Sequence, residues 1–340
     1  MGNNMKSARF EVLDGWRGIS ILLVLSAHLL PLGPKPWHLN VGAGLLGMAF
    51  FFVLSGFLVT HFLINNQYGV KDFLIRRLFR ILPLAWLYMG LVFLIHPVSN
   101  EAMTAHFLFY ANYPPKPLIP VTDHLWSLCV EMHFYLGVAL LVASLGKRGL
   151  LLIPALCLAF TLLRVGYGAS YSVITHLRVD EILAGATLAL VYEGRLGGVR
   201  VERKLRFALQ PALFPALLIL LLVSSHTDSG FMNYFRPYLA AATVGCTLFN
   251  PRMRVAEFLG NPVLRYIASI SYALYVLHFF LTDTWLGSGD KLEKYAKRPL
   301  LFAALIVTAH LSTFYYEQKW IALGKRLSRK LKTGVVYELK

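Results

Sequence analysis

A chain of 340 residues, 57% of them hydrophobic and only 15% charged, with a mean hydropathy of +0.58, lies outside the compositional range of soluble globular proteins. The expected fold class is all-α, a polytopic bundle embedded in a lipid bilayer. The net charge of +16 calls for no nucleic acid, because the Lys and Arg residues form short clusters between apolar runs, as cytoplasmic loops do under the positive-inside rule.

The first apolar run, 13–28, starts with Arg17 and holds His28 eleven residues later. That spacing returns to nearly the same helix face with a rise of roughly 16 Å. If Arg17 marks a membrane surface, His28 falls near the midplane, where ionisable groups are rare and face a partner, a cavity or a reaction. The run has no small-residue cleavage site and a second run follows at once, so a retained first span is expected. Ten spans are expected in one domain over residues 1–340: 17–32, 42–64, 82–98, 124–145, 150–165, 177–192, 207–224, 234–249, 264–285 and 299–323. Residues 71–80 alternate cations with bulky apolar residues and are expected to form an amphipathic surface helix. Residues 101–113 are too short and polar to span. Cys129, Cys157 and Cys246 lie in apolar segments without metal-ligand spacing, so packed thiols are expected rather than a disulfide framework or metal site. Most of the 33 Lys and Arg residues fall in the termini and even-numbered connections, so both termini are expected to be cytoplasmic.

Polar residues inside these runs are the candidates for chemistry. In 124–145, Ser127, Glu131 and Tyr135 lie at i, i+4 and i+8 on one drifting face below His124 and Trp126. Glu131 is then about 10 Å along the helix from His124, a depth comparable to that of His28. A His and a Glu at one level are candidates for a general base and its orienting carboxylate. Taken singly, the His reads equally well as a helix–helix hydrogen bond, and the Glu as a proton-coupling group. Arg178 and Asp180, two apart, share one site only at an irregular helix start, and a solvated outer rim is an equal alternative. Arg77 and Arg80, at i and i+3, share a face suited to a phosphorylated ligand or, as readily, to lipid headgroups. These residues leave an enzyme in competition with a proton-coupled transporter relaying through His28, Glu131 and Asp180; a structural or sensory membrane protein is a third class.

Six segments support a resemblance. Leu13-Asp14-Gly15-Trp16-Arg17-Gly18 through His28, Phe51-Phe52-Val53-Leu54-Ser55-Gly56-Phe57, Arg77-Leu78-Phe79-Arg80-Ile81-Leu82-Pro83, His124-Leu125-Trp126-Ser127-Leu128-Cys129-Val130-Glu131, Arg178-Val179-Asp180 and Ser271-Tyr272-Ala273-Leu274-Tyr275-Val276-Leu277-His278 resemble, in order, the signatures of the acyltransferase-3 family of integral-membrane O-acyltransferases. The resemblance implies ten spans in a bacterial cytoplasmic (inner) membrane. It implies acetyl-CoA as the usual acyl donor, a co-substrate and not a bound cofactor, and a hydroxyl of a surface or lipid-linked glycan as acceptor, with glycan-assembly proteins as partners. It also implies that Arg17 with His28, and Arg77 with Arg80, are functional, His28 being the catalytic candidate. Arg17, Arg77 and Arg80 are then donor-binding, while Asp14, His124, Trp126, Ser127, Tyr135, Arg178, Asp180 and His278 shape the acceptor side. Two departures stand out: Met132 and His133 replace a second Glu and a Gln, and Gln318-Lys319 follows Tyr315-Tyr316-Glu317 where a basic-proline pair is expected. The sequence ends soon after the tenth expected span without the SGNH-type domain fused to some relatives, so direct transfer or hand-over to a separate protein is expected. The expected mechanism has His28 as general base on the acceptor hydroxyl, which attacks the thioester, with Glu131 aligning the imidazole. An acetyl-histidine intermediate is the runner-up, and Ser127 is an alternative nucleophile if a His lies within hydrogen-bond reach.

Overall fold

The computed structural model describes residues 2–65 and 69–337, with side chains described over 11–65 and 69–329. In chain order the helices are α1 (Gly2–Leu29), α2 (Leu39–Asn65), α3 (Val70–Ile95), α4 (Asn100–Phe107), α5 (Trp126–Leu145), α6 (Ile153–Gly166), α7 (Asp180–Tyr192), α8 (Gly198–Ala208), α9 (Phe214–Ser225), α10 (Arg236–Phe249), α11 (Arg254–Leu259), α12 (Pro262–Thr282), α13 (Lys291–Ala296), α14 (Arg298–Leu311) and α15 (Gln318–Tyr337). Among the described residues there is no strand, and helices satisfy their own backbone hydrogen bonds, as lipid demands of a span.

Among the described residues, six helical runs are long and apolar enough to cross a membrane: Glu11–Leu29, Lys35–Asn65, Val70–Ile95, Asp123–Gly166, Pro262–Thr282 and Arg298–Arg329. A seventh arises if α8 and the run into α9, bent by 50°, count as one span. The ten expected spans correspond in order to α1, α2, α3, α5, α6, α7, α9, α10, α12 and α14. The shortfall has a geometric cause. Helices α7 and α10 have 13 and 14 residues, about 20 Å of rise against a core of about 30 Å. Helices α5 and α6 belong to one helical run, divided at Gly146, whose φ of 63° is a left-handed conformation that glycine adopts without a Cβ clash.

The amphipathic segment 71–80 is not a separate surface helix. It is the first part of α3, which continues unbroken through Pro83 to Ile95. Tyrosines from later helices dress the backbone around the proline: Tyr272 Oη donates to the Ile81 carbonyl at 2.6 Å and Tyr316 Oη to the Pro83 carbonyl at 3.2 Å. Such donors are what makes an intramembrane proline tolerable. Helix α4 is 8 residues long, with Ser99 capping the Ala102 amide at 3.2 Å, too short to span as expected.

The contacts divide the chain into two compact units. The first comprises residues 1–65 and 147–271. Here α2 packs along α1 and α7, with α10 against both α2 and α7. Glycines set the closest approaches. A Cβ on Gly56 would stand 1.8 Å from the Ile182 carbonyl oxygen, and one on Gly185 would stand 1.9 Å from that of Val53, so the α2–α7 crossing is a backbone-to-backbone contact, the small-residue packing that membrane helices use. Trp16 stacks on Phe50 at 4.4 Å and donates its indole N–H to Thr247 at 2.9 Å, tying α1 to α2 and α10. At the far end of α2, His61 Nδ1 meets Glu193 Oε1 at 2.7 Å. The second unit comprises residues 66–146 and 272–340, in which α3 packs on α5 and α15. A π-helical turn, Ser312–Glu317, joins α14 to α15.

Candidate functional site

Helix α1 stops at Leu29, not at residue 32, because Pro31 disfavours the helical conformation of Leu30. His28 therefore occupies the last turn and not the middle of the candidate span Glu11–Leu29. Its side chain is exposed between the buried Ala27 and Leu29, a placement that leaves the imidazole accessible to a substrate. Toward the helix start, Arg17 Nη1 lies 4.0 Å from Asp14 Oδ1.

Arg178 and Asp180 do sit at an irregular helix start. Arg178 ends a short 3-10 turn with φ −143°, and α7 begins at Asp180. They are not a solvated rim, being 0% and 1% exposed. Asp180 Oδ2 receives Arg164 Nη2 at 3.1 Å and the Thr161 hydroxyl at 3.2 Å. Arg178 Nη2 lies 3.2 Å from Glu181 Oε2, while Arg236 Nε donates to Glu181 Oε1 at 2.8 Å. The Arg178 guanidinium also stands over the rings of Phe52 and Tyr171, at 6.0 and 5.9 Å. Three guanidiniums and two carboxylates thus share one dry cluster with an excess of one positive charge. Arg164 Nε and Nη1 and Arg236 Nη2 make no hydrogen bond there. Taking each charge out of water costs several kcal/mol, which pairing offsets, and the Arg164–Asp180 and Arg236–Glu181 pairs join α6 and α10 to α7.

The second unit gathers the residues of 124–145. His124 Nε2 donates to the Val276 carbonyl at 3.1 Å, and its ring meets that of His278 edge-on at 4.8 Å. His278 Nδ1 donates to the Tyr275 carbonyl at 2.6 Å, and Tyr275 Oη donates to the His124 carbonyl. Ser127 Oγ lies 2.5 Å from Tyr275 Oη and 3.4 Å from the His124 carbonyl; its hydroxyl meets a phenol, not an imidazole nitrogen. Trp126 is the buried first residue of α5. One turn further along, Tyr135 Oη donates to Glu131 Oε1, the i, i+4 contact that the spacing implied. The guanidinium of Arg77 stands over the same Tyr135 ring at 5.7 Å and over Phe73 at 5.9 Å. Arg77, Tyr135 and Glu131 are therefore one contiguous set, while Arg80 is exposed. His28, Arg17, Asp14, Arg178 and Asp180 belong to the first unit; Arg77, Arg80, His124, Trp126, Ser127, Glu131, Tyr135 and His278 belong to the second.

Five polar residues were given no role in the sequence reading. Arg164, Glu181 and Arg236 are wholly buried in the first unit. Tyr275 links Ser127 to His124, and Glu317 takes the hydroxyls of Ser312 and Thr313 at 3.0 and 3.1 Å inside the π-turn. The signal for Arg164, Glu181 and Arg236 was an ionisable side chain in or beside an apolar run.

A family profile described as "Acyltransferase domain" matches residues 10–317. Among curated proteins, the chain is 28% identical over 330 residues to "Putative peptidoglycan O-acetyltransferase YrhL" of Bacillus subtilis, covering 78% of this chain and 48% of that protein. It is 26% identical over 324 residues to peptidoglycan O-acetyltransferase OatA of Listeria monocytogenes, again covering 78% and 48%. The chain spans about half the length of the curated relatives it matches. No solved structure matches it. A profile match through both helical units, from α1 to the end of the Ser312–Glu317 turn, leaves one conclusion open: the chain belongs to the acyltransferase-3 family of membrane proteins.

Proposed function

We propose that the protein is a membrane O-acetyltransferase that moves an acetyl group from acetyl-CoA to a hydroxyl of an extracytoplasmic or lipid-linked glycan, with peptidoglycan the acceptor to test first. The observation that carries this reading is the family match over residues 10–317, together with the names of the relatives it brings. On this reading the chain lies in a bacterial cytoplasmic membrane with both termini inside, and meets glycan-assembly proteins there. Arg77 and Arg80 near the start of α3 take the donor phosphates, with Arg17 as a further cation, because guanidinium forks match phosphate oxygens. His28 removes the proton from the acceptor hydroxyl as oxygen attacks the thioester carbonyl, and the tetrahedral intermediate collapses to release the CoA thiolate. Glu131, whose carboxylate accepts the Tyr135 hydroxyl, is carried in this reading as the second catalytic group.

Purified protein in proteoliposomes, given acetyl-labelled acetyl-CoA and peptidoglycan fragments, tests the reading. Labelled glycan together with free CoA thiol supports it. Proton flux with no thioester cleavage assigns the chain to the transporter class instead. Donor placed only on the face opposite the basic loops is expected to give no turnover, and equal turnover from either face refutes the sidedness.

A further inference from the structure

The end of a helix leaves its last carbonyls without intrahelical partners. In α1 that end is the turn bearing His28. The carbonyls on either side of it are taken by a side chain from the second residue of α2: Asn40 Nδ2 donates to Ala27 O and to Leu30 O, both at 2.7 Å, while Asn40 Oδ1 accepts the Leu32 amide at 3.2 Å. A carboxamide has two donor hydrogens and one acceptor oxygen, and here each is used on backbone between residues 27 and 32, the stretch that closes the turn bearing His28. The rest of the α1–α2 contact supports this placement. Ser20 Oγ donates to the Gly47 carbonyl at 2.7 Å two turns below, and Gly44 presents no Cβ where Ala27 comes closest. The connection just before α2 is itself tied, by His226 Nε2 donating to the Trp37 carbonyl at 3.0 Å.

We propose that Asn40 is the positioning residue of His28. The proposal rests on the reading of His28 as the base. The clamp holds the Ala27 and Leu30 carbonyls at fixed points of α2, so the last turn of α1 cannot unwind or rotate, and the Cα–Cβ bond of His28 keeps one direction. Displacement of a reacting group by about 1 Å can cost on the order of 10² in rate, and an unclamped terminal turn carrying an exposed imidazole permits a shift of that size.

The test uses the full chain, purified and compared per monodisperse molecule, with acetyl-CoA cleavage read as CoA thiol release in the presence of peptidoglycan fragments. Asn40→Ala removes all three hydrogen bonds; Asn40→Asp keeps the shape and the acceptor but loses both donors. Both variants are expected to lower kcat by about 10- to 100-fold with the KM for acetyl-CoA within about twofold, and to speed hydrogen exchange at the amides of Leu29, Leu30 and Leu32. A native kcat in Asn40→Asp, or a kcat loss matched by an equal rise in KM, overturns the proposal; if Asn40→Ala gives no monodisperse protein, Asn40→Asp decides alone. His28→Ala separates the proposal from the reading beneath it. Native turnover in His28→Ala removes the base itself, whereas an inactive His28→Ala beside a native-rate Asn40→Asp overturns the role of Asn40 only.

Discussion

Glu181 is the residue whose neutralisation the buried cluster can least absorb. It lies between Arg178 at 3.2 Å and Arg236 at 2.8 Å, with all three side chains 0% exposed. Glu181→Gln preserves shape but raises the excess positive charge of the cluster from one to two. Removing one partner of a buried pair costs about 3–5 kcal/mol, because the other charge stays dehydrated. The first unit contains about 190 residues, and for a body of that size each kcal/mol lowers the melting temperature by about 2–4 °C, so a fall of roughly 6–20 °C is expected. Arg236→Met makes the sharper comparison. It removes the surplus cation, leaves Arg178 with Glu181 and Arg164 with Asp180, and deletes a guanidinium nitrogen, Nη2, that makes no hydrogen bond. Its fall should be less than half that of Glu181→Gln. Thermal unfolding of the purified variants in one detergent, followed by loss of the monodisperse peak, provides the comparison. A Glu181→Gln melting point within about 2 °C of native, or a larger fall in Arg236→Met, refutes the charge accounting.

His28→Ala is expected to abolish acetyl transfer at near-normal membrane abundance, and Glu131→Gln to lower kcat by about 10² to 10⁴, the usual share of a positioned acid–base group; a Glu131→Gln loss below threefold demotes that carboxylate to packing. Arg77→Ala and Arg80→Ala should raise the KM for acetyl-CoA more than they lower kcat, measured by varying donor at fixed glycan. Glu193 supplies a pH test. Its hydrogen bond to His61 holds the carboxyl below the ordinary glutamate value. A carboxyl depressed by folding contributes stability that is present above its unfolded pKa and is lost as pH falls through the lower folded one. Melting temperature in native protein should therefore decline from about pH 4.5 downward, and Glu193→Gln should flatten that decline without changing its direction elsewhere.

The helices were legible where hydropathy and punctuation agreed. Pro31 sets the end of α1 and Ser99 the start of α4, both readable signals, although the expected span ran past the first. The merger of 71–80 into α3 was hidden because an amphipathic period and a span period are both helical, and nothing in the composition marks a break between them. The i, i+4 contact of Glu131 with Tyr135 was readable because both residues lie on one helix. The burial of Arg178 and Asp180 was not, since it depends on Arg164 from α6 and Arg236 from α10, partners that only the packing of three helices brings near. Asn40 was silent for the same reason: a lone amide between two apolar runs looks like loop polarity until the backbone it clamps is known.

The buried cluster also implies an order of biogenesis. Arg164 on α6 and Arg178, Asp180 and Glu181 at the start of α7 sum to zero charge within 18 consecutive residues, and both ion pairs among them, Arg164–Asp180 and Arg178–Glu181, form inside that stretch. A nascent α6–α7 hairpin can therefore leave the translocation machinery as an electrically neutral unit. Arg236 follows more than 50 residues later in the chain, so its 2.8 Å contact with Glu181 is the ion pair of the cluster that the hairpin does not contain. Chains truncated after Tyr192 should insert the hairpin stably, whereas the same truncation carrying Glu181→Gln should slip toward the aqueous side, a difference that glycosylation-site mapping of the intervening loop would register.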